Sequence, residues 1–294
     1  MSKARANGIT LEVEDTGEAD RPAVLLVMGL GMQLVAWPQR FVEALHQAGF
    51  RVIRFDNRDI GLSQHFDHLG VPNLMVETFR HRVGLPVHAP YTLQDMAADA
   101  LGLLDTLGVA KAHLVGVSMG GMIAQRMALA APDRVLSLSS IMSSSGARYL
   151  PGPKAHVLKA MMARPQRGGE QALVDYSVNF FRIIGSPGFP LDEAEFRARI
   201  QLAVRRSFHP AGTARQMVAI AADTRRADEL ARLKLPTLVI HGRDDPLVPF
   251  ACGQDTARRI RGARLVAVEG MGHDLPPGVV DRILQPLVPH LLGH

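Results

Sequence analysis

The chain has 294 residues, of which 47% are hydrophobic, enough for one globular α/β domain with a sizeable core and an insertion. Its net charge of +5 comes mainly from scattered arginines, and only 5% of residues are aromatic, which argues against a nucleic-acid partner. The single cysteine, Cys252, excludes an intrachain disulfide. The N-terminus leads into no apolar signal segment and no apolar run approaches a membrane span, so we expect a cytoplasmic protein.

The first part of the chain alternates between short apolar runs and helical patterns. These patterns predict, in chain order, strands over 9–14 and 23–28, a helix over 41–48, a strand over 51–55 and a helix over 92–107. We expect the first two strands to form an N-terminal pair. Thr92 can cap the last helix, with Asp95 three residues later, and Gly108 can end it. Strands separated by helices indicate a mostly parallel sheet.

The next segment contains the pattern G-x-S-x-G. An apolar run over 112–117 leads into Gly-Val-Ser-Met-Gly at 116–120, and an amphipathic run follows over 119–131. This order predicts a strand, a sharp turn and a helix, with Ser118 at the turn and glycines where a Cβ would clash. The serine hydroxyl group then lies at a helix N-terminus, where backbone N–H groups favour negative charge. Ser118 is therefore a candidate nucleophile for attack on a carbonyl group.

Two later strands are followed by loops that carry an acid and a base. The apolar run 237–241 leads to Asp244 and Asp245, and the run 264–268 is followed by His273 in a glycine-flanked loop. Open α/β sheets place their sites beyond the carboxyl ends of such strands. The chain order of serine, acid and histidine is that of the nucleophile-elbow hydrolases.

Motifs occur in register along nearly the whole chain, at residues 25–29, 37–38, 55–63, 116–121, 245–246 and 272–273. Together they resemble the α/β-hydrolase superfamily and, within it, bacterial esterases of the aclacinomycin methylesterase type. The resemblance implies the α/β-hydrolase fold, with a mostly parallel eight-stranded sheet flanked by helices and an inserted helical lid. In that family the strand is followed by a glycine, two further residues and then the catalytic aspartate. This pattern points from Gly242 to Asp245, and leaves Asp244 as the alternative.

The residue types and the resemblance together imply a Ser-His-Asp triad. Ser118 attacks, His273 takes its proton, and Asp245 holds the imidazole in one tautomer. An oxyanion hole needs two backbone donors, for which we predict Met119, directly after the nucleophile, and Leu30, with Gly29 as second choice. Many family members have His-Gly where this chain has Met-Gly at 28–29, but a backbone donor is unaffected by that change.

Between residues 139 and 227 the alternation of strands and helices stops. Proline- and glycine-rich turns there separate helical patterns over 170–184 and 191–208. We interpret 146–225 as a helical lid inserted into a core formed by 1–145 and 226–294, with a second insertion over 64–91. The residues predicted to line an acyl pocket are Gly29, Met32, Met122, Met161, Phe180, Phe181 and Ile184. The alternative is that most of these lid side chains only hold the lid to the core.

Other charged and polar residues receive structural interpretations. Asp56, Arg58 and Asp59 are interpreted as a charge-paired turn that braces a strand end, and Trp37 as a core residue. The histidines and carboxylates show no metal-ligand spacing such as H-E-x-x-H, and there is no P-loop or dinucleotide fingerprint. We therefore expect neither a metal nor a cofactor.

These observations predict a serine carboxylesterase that acts on small to medium apolar esters through an acyl-enzyme. An acyltransferase, a C–C hydrolase or a cofactor-free perhydrolase would use the same triad with a different acceptor or ligand. A non-catalytic small-molecule receptor of the same fold is a more distant alternative, since such receptors usually lose triad members. The expected partner is a small-molecule ester, and the expected oligomeric state is a monomer or a homodimer.

Overall fold

A computed structural model describes residues 1–163 and 168–294. Its strands form one eight-stranded sheet in the spatial order β1-β2-β4-β3-β5-β6-β7-β8. The strands are β1 (Ser2–Ala6), β2 (Ile9–Asp15), β3 (Ala23–Val27), β4 (Arg51–Phe55), β5 (Ala112–Val117), β6 (Val135–Ile141), β7 (Thr237–Gly242) and β8 (Arg264–Val268). The β1–β2 and β2–β4 pairs are antiparallel and all other pairs are parallel. The predicted mostly parallel eight-stranded sheet is confirmed.

The prediction that the first two apolar runs pair with each other was wrong. Strand β4 lies between β2 and β3, and Ile53 pairs with Asp15 on one side and Leu25 on the other. All five residues of β3 are buried, so this strand needs a hydrogen-bonded neighbour on each side and helices on both faces. The sequence analysis also missed β1, which pairs with β2 at the edge of the sheet.

Helices cover both faces of the sheet and form the segment between β6 and β7. They are α1 (Gln39–Gln47), α2 (Leu74–Val83), α3 (Leu93–Thr106), α4 (Met119–Ala130), α5 (Ala155–Met162), α6 (Gly169–Ile184), α7 (Glu193–Arg206), α8 (Pro210–Ala222), α9 (Arg226–Glu229), α10 (Phe250–Arg259) and α11 (Pro277–Leu292). The predicted cap of α3 is confirmed, because Thr92 Oγ1 accepts from the Asp95 amide and Asp95 accepts from the Thr92 amide in return.

Two hydrophobic clusters sandwich the sheet. One packs the sheet against α3 and α4, with Leu25, Leu114 and Ile123 among its fully buried members. The other packs the opposite face against α1 and α11, and it includes Trp37, which is buried as predicted. Because the core fills both faces, the loops at the carboxyl ends of the parallel strands are held on a rigid base.

Helices α5 to α8 occupy the position of the predicted lid, and residues 164–167 within it lie outside the described residues. Helices α6 and α7 share a small cluster of their own, formed by Val174, Val178, Phe196 and Ile200. The sequence analysis anticipated these two helices but not α5, α8 or α2. The proposed boundaries of the lid, 146 and 225, remain a prediction.

The charged loop after β4 ties this inserted segment to the core. Asp59 receives two hydrogen bonds of 2.7 Å from Arg215 of α8, and both side chains are fully buried. Asp56 pairs with Arg206 of α7 at 3.1 Å. Arg58 pairs instead with Asp99 of α3. The predicted charge-paired turn is therefore present, but its charged side chains pair with residues of helices α3, α7 and α8 rather than with each other. Within the described residues, no helix is both long and apolar enough to cross a membrane.

Candidate active site

Ser118 occupies a strained turn between β5 and α4. Its backbone has φ 56° and ψ −121°, a region that non-glycine residues rarely adopt. The Ser118 amide donates to the Ile141 carbonyl at 3.0 Å, and the Ser143 hydroxyl donates to the Ser118 carbonyl at 2.7 Å. Bonds to the neighbouring strand and its following loop hold the turn, so that the serine hydroxyl group projects from the carboxyl end of the sheet.

The glycines of this turn allow backbones to approach closely. A Cβ at Gly116 would lie 2.2 Å from the Gly120 carbonyl oxygen, and a Cβ at Gly120 would lie 1.9 Å from the Val27 carbonyl oxygen. Both contacts are with backbone atoms, which cannot move aside as a flexible side chain can. The turn therefore requires glycine at both positions for a steric reason that the sequence motif only indicates.

We expect Gly120→Ala to destabilise the fold by about 3 kcal/mol or more, because the new methyl group would separate α4 from β3. Chemical denaturation measures this free energy of unfolding. Gly152→Ala is the matched control, since a Cβ at that position meets no atom within 4 Å, and it should change stability by less than about 0.5 kcal/mol. Equal stability of the two variants would contradict the expectation.

His273 links Ser118 to Asp245 by hydrogen bonds. Its Nε2 atom lies 3.0 Å from Ser118 Oγ, and its Nδ1 atom lies 2.7 Å from Asp245 Oδ2. The other carboxylate oxygen of Asp245 accepts from the amides of Leu247 and Val248, at 2.9 and 2.8 Å. The carboxylate is thus held in one orientation, with a single oxygen left for the imidazole. Asp245 and His273 are both buried, which strengthens their electrostatic interaction.

The neighbouring carboxylate has a different position. Asp244 is exposed and accepts from the Gly270 amide at 2.9 Å, so it supports the loop that precedes His273 rather than the imidazole itself. A second histidine, His241, lies 3.6 Å from Asp245, but its Nε2 atom is 2.7 Å from the Val248 carbonyl. Burial lowers the pKa of His241, which favours a neutral imidazole that donates to that carbonyl.

The loop after β3 passes beside the serine. A Cβ at Gly29 would lie 3.2 Å from Ser118 Cβ, and the Gly31 amide donates to Gln216 of α8 at 2.9 Å. In the described part of the chain, the amides of Leu30 and Met119 donate to no backbone acceptor. Within the described residues, no backbone carbonyl therefore competes for these two predicted donors.

Known proteins resemble this chain in sequence and in fold. A family model described as the alpha/beta hydrolase fold matches residues 22–276. The chain belongs to this family. The hydrolase is 32% identical, over an alignment 304 positions long, to a rhodomycin D methylesterase of Streptomyces sp. (strain C5), covering 96% of this chain and 95% of that relative. It is 29% identical over 265 residues to 3-oxoadipate enol-lactonase 2 of Acinetobacter baylyi, covering 90% and 86%.

A solved structure gives the same family. The enol-lactonase from Burkholderia xenovorans LB400 matches the hydrolase with a TM-score of 0.73 and 27% identity, covering 99% of this chain and 100% of that one. These comparisons confirm the predicted α/β-hydrolase fold and the resemblance to bacterial methylesterases.

The residues predicted to line the pocket of the hydrolase are distributed over several environments. A Cβ at Gly29 would lie beside Ser118, and the Ile184 carbonyl accepts from the His273 amide at 2.7 Å. Met122 belongs to α4 and is buried in the core cluster between that helix and the sheet. Phe181 packs edge-on against Phe196 within the inserted helices. The remaining three are half-buried: Met32 beside the second core cluster, Met161 on α5 and Phe180 on α6. Their part in a pocket remains a prediction.

Sequence reasoning missed a second buried carboxylate beside the histidine. Asp274 accepts a hydrogen bond from the Ser186 hydroxyl, and burial raises its pKa to about 6. Hydrogen bonds from Ser186 and the electrostatic interaction with the nearby His273 oppose this rise in pKa. Electrostatic repulsion from Asp245 adds to it. The adjacency of Asp274 to the histidine was visible in the sequence, but its burial depends on a loop 88 residues away.

The stability of the hydrolase should therefore depend on the ionisation of Asp274. A carboxyl whose pKa is raised from 3.8 to about 6 on folding stabilises the protein below about pH 4, and this contribution of about 3 kcal/mol is lost as the pH rises through 6. Asp274→Asn cannot ionise. We expect the free energy of unfolding of wild type, relative to this variant, to fall by about that amount between pH 4 and pH 8 in urea titrations. Parallel pH profiles for the two proteins would contradict the expectation.

One group among the described residues brings potential metal ligands together. The donor atoms of His65, Asp67 and His209 lie within 4.8 Å of one another. The two imidazole rings stack, however, with planes 3° apart and centroids separated by 3.9 Å. Ring-nitrogen lone pairs lie in the ring planes, so these two cannot converge on one ion, and Arg215 already donates to Asp67 at 3.2 Å. We assign no metal to this group.

Proposed function

We propose that the protein is a serine hydrolase that cleaves carboxylic esters through an acyl-enzyme. The observation that carries the proposal is the hydrogen-bonded series from Ser118 through His273 to Asp245. A serine hydroxyl group is a weak nucleophile near neutral pH and needs a base within hydrogen-bond reach. Relatives named as a methylesterase and an enol-lactonase support an acyl–oxygen bond as the target.

In the proposed first half-reaction, Ser118 Oγ attacks the ester carbonyl carbon while its proton passes to His273 Nε2. Asp245 stabilises the resulting imidazolium and keeps Nδ1 protonated. The carbonyl oxygen becomes an oxyanion, which accepts from the amides of Leu30 and Met119. When the tetrahedral intermediate collapses, His273 returns the proton to the leaving alkoxide oxygen, and the acyl group stays on Ser118.

In the second half-reaction, water replaces the alcohol. His273 takes a proton from the water molecule as its oxygen attacks the acyl carbon, and the same two amides hold the second oxyanion. Collapse of this intermediate breaks the bond to Ser118 Oγ, which recovers its proton from His273. The carboxylic acid leaves, and the free enzyme is restored without a cofactor.

We further propose that residues 146–225 act as a lid over this site. Two contacts support the assignment: the Ile184 carbonyl accepts from the His273 amide, and the Gln216 side chain accepts from the Gly31 amide. Gly31 lies in the loop after β3 that also carries Leu30, here named the oxyanion loop. The inserted segment thus contacts both the base and the oxyanion loop. Its apolar side chains, with Met161 and Phe180 among them, would favour small to medium apolar esters.

The test is hydrolysis of p-nitrophenyl esters from acetate to decanoate, combined with labelling by a fluorophosphonate probe and intact-protein mass spectrometry. We expect activity with an optimum at short or medium acyl chains, labelling of one serine and a transient acyl adduct. Absence of both turnover and labelling would contradict the proposal and favour a non-catalytic receptor. Products formed with added alcohol or peroxide distinguish hydrolysis from acyl transfer and perhydrolysis, since only the acceptor differs.

A further inference from the structure

Two segments hold the loop that carries His273: the loop after β7, through Asp244, and the inserted segment. The His273 amide donates to the Ile184 carbonyl at 2.7 Å, and the Gly272 amide donates to Ser186 Oγ at 2.8 Å. A third bond, of 2.9 Å, joins the Gly188 amide to the Gly270 carbonyl. Strand β8 ends at Val268 and α11 begins only at Pro277. Residues 272 and 273 therefore take their backbone partners from the segment that follows α6.

The two chain segments fit together without free space. A Cβ at Gly272 would lie 2.2 Å from the Gly185 carbonyl oxygen, and a Cβ at Gly188 would lie 2.7 Å from the Gly270 Cα. Such backbone-to-backbone packing permits little independent movement of either segment. A shift of residues 184–188 would consequently shift the backbone of His273.

One hydroxyl group connects both neighbours of the histidine. Ser186 Oγ accepts from the Gly272 amide and donates to Asp274 Oδ1, so its two bonds lie on either side of His273 in the chain. The side chains of Ser186 and Asp274 are both buried. A buried hydrogen-bonded network of this kind favours one arrangement, because breaking either bond leaves a buried polar group without its partner.

We propose that Ser186 and Asp274 are positioning residues for His273, which hold its imidazole between Ser118 and Asp245. This inference rests on the proposed function of the triad. The two residues touch no reacting atom; they fix the loop from which His273 reaches both partners. The stretch 184–188, between α6 and α7, is therefore one place where the inserted segment is anchored to the core.

The primary test is Ser186→Ala, with kcat and KM measured separately on a p-nitrophenyl ester. Misplacement of the base affects the chemical step more than substrate binding, so we expect kcat to fall about 10- to 100-fold with KM within about threefold of wild type. Ser186→Thr, which keeps a hydroxyl group, should recover most of kcat. Ser177→Ala is the matched control, because that serine of α6 donates to the Leu173 carbonyl within its own helix.

The partner carboxylate gives a second pair of variants. Asp274→Asn keeps an oxygen that accepts from Ser186 and should retain kcat within about fivefold, whereas Asp274→Ala should resemble Ser186→Ala. If Ser186→Ala does not fold, Ser186→Cys takes its place, since a thiol is a weak donor and should lower kcat about 5- to 10-fold. Folded Ser186→Ala or Ser186→Cys with unchanged kcat, or with a loss confined to KM, would overturn the proposal.

A spectroscopic measurement separates this proposal from the proposed function. The proton between His273 Nδ1 and Asp245 should give a downfield NMR resonance that needs no turnover. We expect this resonance to shift or broaden in Ser186→Ala and to persist in Ser177→Ala. An unaltered resonance in Ser186→Ala would refute the positioning role even if the wild type hydrolysed no ester, whereas inactivity of the wild type would count against the proposed function alone.

Discussion

Ser118→Ala is expected to lower kcat for p-nitrophenyl ester hydrolysis by about 10⁵- to 10⁶-fold. Loss of the attacking oxygen removes the covalent route altogether, and only the oxyanion donors and substrate binding continue to act. Steady-state rates on the acetate or butyrate ester measure the loss. Labelling by the fluorophosphonate probe should disappear in parallel.

Ser177→Ala provides the control for this experiment, because its hydroxyl group donates to the Leu173 carbonyl within α6. Its rate should stay within about twofold of wild type, as for a surface or half-buried substitution away from the chemistry. Retention of activity and labelling in folded Ser118→Ala would mean that another residue is the nucleophile, and the proposed function would have to be abandoned.

Asp245→Asn is expected to lower kcat by about 10³- to 10⁴-fold. The amide would still accept from the amides of Leu247 and Val248 through one oxygen, so the loop should keep its conformation. Its NH₂ group would face His273 Nδ1, however, and would stabilise the wrong tautomer while removing the charge that supports the imidazolium. The measurement is kcat together with the near-ultraviolet circular dichroism of the variant.

The adjacent aspartate offers a closely matched comparison. Asp244→Asn makes the same chemical change one residue earlier, at an exposed side chain that contacts the Gly270 amide rather than the imidazole. We expect its kcat to stay within about threefold of wild type. Equal losses in the two variants would indicate that the loop, and not the carboxylate of Asp245, supports the reaction.

Local patterns in the sequence were sufficient for the elements that carry the serine and the first helices. The strands over 51–55 and 112–117 have the predicted bounds, since short runs of apolar and β-branched residues between turn signals depend on local burial. The capping box at Thr92 was equally visible, because all its atoms lie within four residues. The motif around Ser118 is local for the same reason.

Contacts between distant residues were not visible in this way. The prediction that β2 pairs with β3 depends on their adjacency in the sequence, but β4 lies between them in the sheet. Asp56, Arg58 and Asp59 were recognised as a charged turn, while their partners are contributed by α7, α3 and α8. No periodicity reports which helix will supply the opposite charge.

The sequence by itself determined the fold class, the strand–turn–helix around Ser118 and the chain order of Ser118, Asp245 and His273, because each depends on local periodicity, turn chemistry or motif spacing. Tertiary structure decided which aspartate lies 2.7 Å from the imidazole, and which segment holds the loop of His273. Ser186 and Asp274 are 88 residues apart and are joined only when the inserted helices pack on the sheet. Packing of whole elements sets such contacts, and no local rule encodes them.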